Sequence, residues 1–250
     1  MMPPGSPAAR PAPPALSLRR QRGWRRRELV PVLALGVAAA VGAAGIALVD
    51  AAGPGGARSL DASLLLALRS PSHPSDPLGP RWLEEAGRDF TGLGGVAVLS
   101  FVVLSAALFL ALAGKRASAL AIAIAGGGAA VLGVVLKGWF DRPRPDLVPH
   151  AVLVFDESFP SGHATGAAAV YLTIGVLLAR TVPDPEAKLW LVTVTIAIAV
   201  LVALSRVYLG VHWPTDVLAG LAIGAFWAGM CWLIEIWLQK RGTVEPTEDR

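Results

Sequence analysis

Long apolar runs recur along this chain, and nothing constrains its fold more tightly. Residues 29–49 contain no charged side chain. Five further runs of similar length lie at about 93–113, 118–138, 164–181, 188–205 and 216–238. About 20 apolar residues in a helix cross the roughly 30 Å hydrocarbon core of a bilayer. Within that core every backbone N–H and C=O must be bonded internally, which a helix does within one segment. The expected fold is therefore all-α, a six-span transmembrane helix bundle.

Composition agrees. Of 250 residues, 54% are hydrophobic and 16% charged, against about 25% charged in an average soluble domain. Mean hydropathy is +0.57. The net charge of +4 would favour nucleic acid in a soluble protein. Here the basic residues flank the apolar runs, where they orient a membrane protein, and no nucleic-acid partner is expected. The single cysteine, Cys231, lies inside an apolar run. It excludes a disulfide within the chain and a thiolate metal site.

The chain divides simply. Residues 1–28 are rich in Pro, Ala and Arg without apolar periodicity and read as a disordered basic cytoplasmic tail. Residues 29–238 form one membrane domain, and 239–250 a second cytoplasmic tail. A cleaved signal sequence is the rival reading of the first run. Signal cores span about 7–15 residues, which favours an uncleaved span. Between the first two spans, Leu60–Leu68 and the stretch at Trp82 read as short interfacial helices. They are separated by a Pro- and Ser-rich loop from Arg69 to Pro77. Gly126-Gly127-Gly128 in the third span predicts close helix contact.

Six spans place both termini on one side. Fourteen Lys and Arg residues fall on the tail side and eight on the other. The positive-inside rule then puts the tails in the cytoplasm. Span parity also gathers the unusual polar residues. Lys137 to Pro145 closes span three, Pro160-Ser161-Gly162-His163 opens span four, Ser205-Arg206 closes span five, and His212 to Asp216 opens span six. All four groups converge on the outer-face ends of spans 3–6.

Lys137, Arg144 and Arg206 bring three cations together, with Asp141 and Asp216 as local balance. Charge near a membrane core is costly, and an anionic ligand offsets it. Arginine's planar fork suits phosphate oxygens, and lysine adds a point charge. Ser161, Gly162 and His163 supply the backbone N–H groups of a helix N-terminus, a ready anion site. Asp216 lies one helical turn beyond His212 and can accept from its ring, freeing the other nitrogen for attack on phosphorus. His163 can then protonate the leaving oxygen.

Plainer readings exist for each block alone. Lys137, Arg142 and Arg144 can snorkel from a helix end, and His212 with Trp213 fits an interfacial belt. His73 and His150 read as loop surface, and Asp156-Glu157 as a solvated turn bordering substrate entry. The three blocks together outweigh these readings.

The blocks resemble the signature of the type 2 phosphatidic acid phosphatase superfamily, which includes lipid phosphatases, glucose-6-phosphatase-like enzymes and vanadium haloperoxidases. Its K-x6-R-P, P-S-G-H and S-R-x5-H-x3-D elements are matched by Lys137…Arg144-Pro145, Pro160-Ser161-Gly162-His163 and Ser205-Arg206…His212…Asp216, all within residues 137–216. The resemblance implies a phosphohistidine at His212 oriented by Asp216, with His163 as general acid. It implies a phosphoryl cradle of Lys137, Arg144, Ser161, Gly162 and Arg206, and no metal or other cofactor. The implied activity is metal-independent hydrolysis of a lipid phosphate or diphosphate, of the phosphatidate, phosphatidylglycerol phosphate or polyprenyl diphosphate class. The expected setting is a bacterial plasma membrane, with the site facing outward. A phosphotransferase on the same scaffold, a haloperoxidase and a non-catalytic anion or lipid transporter stay open as alternatives, as do oligomeric state and the lipid itself.

Overall fold

A computed structural model describes residues 57–154 and 156–240. The expected span at 29–49 and the tail at 1–28 lie outside the described residues, as does the expected tail at 239–250 except for residues 239 and 240, which continue the last helix. Seven helices follow in order: α1 (Ala57–Ala67), α2 (Arg81–Leu93), α3 (Val96–Leu112), α4 (Arg116–Phe140), α5 (Gly162–Ala179), α6 (Pro185–Tyr208) and α7 (Pro214–Lys240). The described residues contain no strand, and the fold is all-helical.

Helices α4, α5, α6 and α7 are long and apolar enough to cross a membrane. The α2–α3 pair brings the number to five if it counts as one broken span. The run expected as a single span at 93–113 corresponds to α3, which begins only at Val96 and, at 17 residues, reaches spanning length only together with α2. Gly94 and Gly95 separate the two helices, whose axes bend by 46°. The cause is local packing. A Cβ on Gly94 would lie 2.4 Å from Val202 Cγ1 and 3.1 Å from the His163 carbonyl oxygen, so only glycine fits there. The two short helices expected before this point are present as α1 and α2, the latter longer than anticipated.

Helix ends follow from local chemistry. Ser161 caps α5 by accepting from the Ala164 N–H. Asp184 caps α6 by accepting from Ala187 N–H at 2.8 Å, just before Pro185, and proline suits a first helical turn. Asp141 ends α4 in the left-handed region, at φ 42°. That turn sends the following Arg-Pro-Arg-Pro segment back across the end of the bundle.

The helices associate through small residues, as expected where lipid tails are as apolar as the side chains they meet. Gly126 and Gly128 of α4 leave room for Val103 of α3 and the Trp227 ring of α7. Gly220 and Gly224 of α7 lie against α5, where added Cβ atoms would come within 2.7 Å of Ser161 O and 2.3 Å of Thr165 O. The outer surface is correspondingly apolar: Phe101, Leu104, Leu108 and Leu112 of α3 are all exposed. At the pole away from Asp216, Arg180 pairs with Glu235 at 3.1 Å, and Ser118 donates to the same carboxylate. One buried ion pair thus ties α4, α5 and α7 together there.

Gly224→Ala forces its methyl into a backbone oxygen. It is expected to cost about 1–3 kcal/mol, the usual range for overpacking. Gly127, which has nothing within 4 Å, is the control, and its alanine variant is expected to be neutral or slightly stabilising. Thermal unfolding of the two variants in detergent, followed by tryptophan fluorescence, checks this.

Candidate active site

The ends of α4, α5, α6 and α7 bring the three sequence blocks together at one pole. His212 is the centre. It stands in the short turn between α6 and α7 and is 1% exposed. Its Nδ1 lies 3.4 Å from Asp216 Oδ2 and 3.4 Å from Ser158 Oγ. An ionised carboxylate only accepts, so this pairing places the ring proton on Nδ1. Nε2 then carries the lone pair, 3.3 Å from Arg144 Nη1. Burial pushes the His212 pKa down to about 4. The Asp216 contact works in the opposite direction, and Arg144 and Arg206 add to the lowering. His212 is therefore a neutral base at ordinary pH.

Asp216 is fully buried and heavily committed. Oδ2 accepts from Trp213 N–H at 2.9 Å and from the Ser158 hydroxyl, as well as facing His212. Oδ1 accepts from Arg142 Nη1 at 2.7 Å. Ser158 and Arg142 were not among the site residues expected from sequence. Ser158 carries no motif signal. Arg142 had one, since it stands two residues before Arg144 in the same turn, but its guanidinium faces away from the phosphate cradle and toward Asp216. Trp213, read as a belt residue, lies with its ring 5.8 Å from the Arg142 guanidinium carbon and donates to Pro143 O at 3.0 Å.

The cations occupy three different states. Lys137, at the C-terminal end of α4, pairs with Asp156 at 2.9 Å and donates to the Glu157 carbonyl. Arg144 pairs with the same Asp156 carboxylate at 2.6 Å and donates to Val211 O at 2.6 Å. Arg206 is 3% exposed and donates to Thr91 Oγ1 at 2.8 Å. Its Nε has no hydrogen-bond partner, and no carboxylate pairs with it among the described residues. The expectation that Asp141 and Asp216 balance the three cations is corrected. Asp216 is engaged by Arg142, and Asp141 is an exposed residue at the left-handed turn. Asp156 does the balancing, and its neighbour's carbonyl joins it. Burial raises the Asp156 carboxyl, but Lys137 and Arg144 outweigh it and hold it below the usual carboxylate range.

The start of α5 completes the pocket. Ser161 is buried as the cap, and its N–H donates to the Asp216 carbonyl at 3.1 Å. Gly162 is exposed, and a Cβ there would meet only Lys137 Cε, at 3.9 Å. The first N–H groups of a helix have no intrahelical partner, so an open backbone lies beside a lysine. His163 packs against Gly94 and Gly95, with Nε2 about 4.0 Å from where a Gly95 Cβ would be. His150 is exposed and bonds the Pro145 carbonyl at 2.8 Å, a loop contact as expected. Among the described residues no three His, Cys, Asp or Glu side chains stand grouped as metal ligands.

Two outcomes follow. Asp156 occupies the cations that a phosphate would use, so Asp156→Asn is expected to tighten inhibition by inorganic phosphate a few-fold. Part-exposed pairs are worth roughly 0.2–1 kcal/mol each, and a phosphate Ki measured on purified enzyme tests this. His212 takes up a proton only as pH falls through about 4, so an activity that depends on its neutral ring is expected to persist down to that pH. The acid limb of kcat/KM is expected there rather than near 6.5, measured on a substrate whose own phosphate titration is known.

The chain is similar to several known proteins. Phosphatidylglycerophosphatase B of Bacillus subtilis (strain 168) is 39% identical over 148 residues, covering 57% of this chain and 70% of that protein. An undecaprenyl-diphosphatase of Sulfolobus acidocaldarius is 37% identical over 97 residues, 37% of this chain and 39% of that protein. The crystal structure of a transmembrane PAP2-type phosphatidylglycerolphosphate phosphatase from Bacillus subtilis superimposes with a TM-score of 0.66 at 28% identity, over 84% of this chain and 96% of that one. Residues 116–240, which hold every signature position, match the PAP2 superfamily, and the chain belongs to that superfamily.

Proposed function

We propose that this chain is an integral membrane phosphatase that hydrolyses a lipid phosphate or diphosphate through a phosphohistidine at His212. The observation that carries the reading is the buried Arg206 guanidinium. It is held at the pole beside His212, where among the described residues its Nε has no hydrogen-bond partner and no carboxylate pairs with it. An uncompensated buried cation is strongly unfavourable, and a phosphoryl group would supply its missing partner.

In the proposed cycle, phosphate enters between Arg206, Lys137, Arg144 and the N–H groups at Gly162, displacing Asp156. His212 Nε2 attacks phosphorus, and the bond from phosphorus to the leaving oxygen breaks. His163 gives that oxygen its proton. Asp216 stabilises the positive ring formed when Nε2 is phosphorylated. Water then attacks phosphorus, His163 takes its proton, and the P–N bond breaks. The positive charge needed by the transition state comes from the three side chains, so the scheme requires no metal.

A lipid substrate fits the surroundings. Between α5, α6 and α7 lies a cavity of about 420 Å³, lined by Leu172, Val176, Ala199, Leu221 and Ala225 among others. It offers an apolar chain a place along the same helices that carry the site. The relatives act on phosphatidylglycerophosphate and on undecaprenyl diphosphate, by their names, and either class is compatible with a cradle that grips only the phosphoryl group. The six-span topology, with cytoplasmic tails and an outward-facing site, belongs to this proposal and rests on the distribution of Lys and Arg.

Purified wild type is expected to release phosphate from phosphatidylglycerophosphate, phosphatidate or a polyprenyl diphosphate. His212→Ala is expected to lose three or more orders of magnitude in kcat, the scale on which catalytic nucleophiles act. Equal rates in the two proteins would refute the mechanism.

A further inference from the structure

A second carboxylate lies behind the first. Asp61 of α1 is 1% exposed and stands outside the region matched to the superfamily. Its Oδ2 accepts from Arg142 Nη2 at 2.8 Å, while the other arm of that guanidinium, Nη1, donates to Asp216 Oδ1 at 2.7 Å. Arg142 Nη1 also donates to Thr215 Oγ1 at 2.7 Å, and Thr215 Oγ1 donates onward to Asp61 Oδ2 at 2.6 Å. Asp61 Oδ1 accepts from the Thr215 backbone N–H at 2.9 Å. That N–H belongs to the first turn of α7, so Asp61 caps from another helix the turn that bears Asp216.

We propose that Asp61 is a positioning residue for the reaction, clamping the first turn of α7 and sharing Arg142 so that Asp216 stays aimed at His212. The inference rests on the reading of His212 as the nucleophile. The charges explain why a second carboxylate is useful. Arg142 alone would neutralise Asp216. With Asp61, two buried carboxylates share the one guanidinium fork, so Arg142 does not turn its whole charge on Asp216. Asp216 then faces the imidazole ring, which becomes positive when phosphorylated. The fork of the guanidinium also fixes distance. Each carboxylate takes a separate nitrogen, so Arg142 cannot rotate toward one without releasing the other.

The anchoring of α1 supports a strut rather than an incidental contact. Asp61, Leu65 and Arg69 recur at helical spacing on one buried side. Leu65 packs with Val148, Val207 and Val217, and Arg69 donates to the Tyr208 carbonyl at 2.9 Å. The other side presents Leu60 and Leu64 to the outside. A single acidic residue on an otherwise apolar turn is costly unless paired, and its pairing here leads directly to the reacting histidine.

The test uses full-length Asp61→Asn in lipid nanodiscs, with dioctanoyl phosphatidate as substrate and nitrogen-15 histidine NMR as an independent readout. The chain has four histidines, and a His212→Gln variant assigns the signal. Asp61→Asn is expected to lower kcat on the order of 10-fold, as loss of outer hydrogen-bond partners does at other sites, with KM unchanged. The His212 signal is expected to shift from a single Nδ1–H tautomer toward a mixture. A folded variant with wild-type kcat and an unchanged His212 signal overturns the proposal. So does a fall in thermal midpoint with kcat per folded molecule preserved. Should Asp61→Asn fail to fold, Thr215→Val removes one link at nearly constant volume, and the same two readouts decide. Wild type without phosphatase activity would count against the proposed function alone, since the NMR comparison still decides the role of Asp61.

Discussion

Everything at this pole depends on keeping one guanidinium, that of Arg206, buried and incompletely satisfied. A bundle end is the only place where the fold can hold it so. Deeper in the bundle the charge would be too costly, and farther out water would screen it. Thr91 takes one of its nitrogens, and Nε has no hydrogen-bond partner among the described residues. The helix that supplies Thr91 ends two residues later, at Leu93, and Val202 and His163 fill the space beside Gly94, where no side chain fits. The 46° bend between α2 and α3 is thus part of the same arrangement as the cation.

The two families of charge at this end are kept apart. Lys137, Arg144 and Arg206 face the pocket. Arg142 points the other way and is consumed by carboxylates. The separation begins at Asp141, whose left-handed turn ends α4, and continues through Pro143, which breaks helical continuation. Two arginines one residue apart, Arg142 and Arg144, therefore serve opposite purposes. One pairs with the buried acid that faces His212 Nδ1, and the other lies beside His212 Nε2.

Much of this was legible in the sequence because it is written in spacing. Apolar run length gave the helices α4 to α7, and span parity gave the convergence of Lys137, His163, Arg206 and His212 without any knowledge of contacts. The parts that were not legible depend on tertiary direction. Arg142 and Arg144 look alike in sequence, and only the turn at Asp141 tells them apart. Asp61 sits in an apolar segment far from the motifs, with no periodic signal beyond being the one acid on its face. Asp156 was readable as a solvated turn, and it is indeed exposed, but its partners come from two other elements. The break ahead of the second span was hidden because Gly94-Gly95 is unremarkable at the start of an apolar run until the neighbour it must admit is known.

Asp156 and Asp61 show how differently two acids can relate to one site. Asp156 is more than half exposed and reaches its cations from a loop, so a phosphate with two or more charges can outcompete it at modest cost. Asp61 is bound on three sides within the bundle and has no route to water. An acid of the first kind sets how tightly the empty pocket holds an anion and therefore bears on binding. An acid of the second kind cannot exchange with substrate at all, and can act only on how the histidine is held. That division separates Asp156, in the loop before α5, from Asp61, inside the bundle, and neither lines the apolar cavity between α5, α6 and α7.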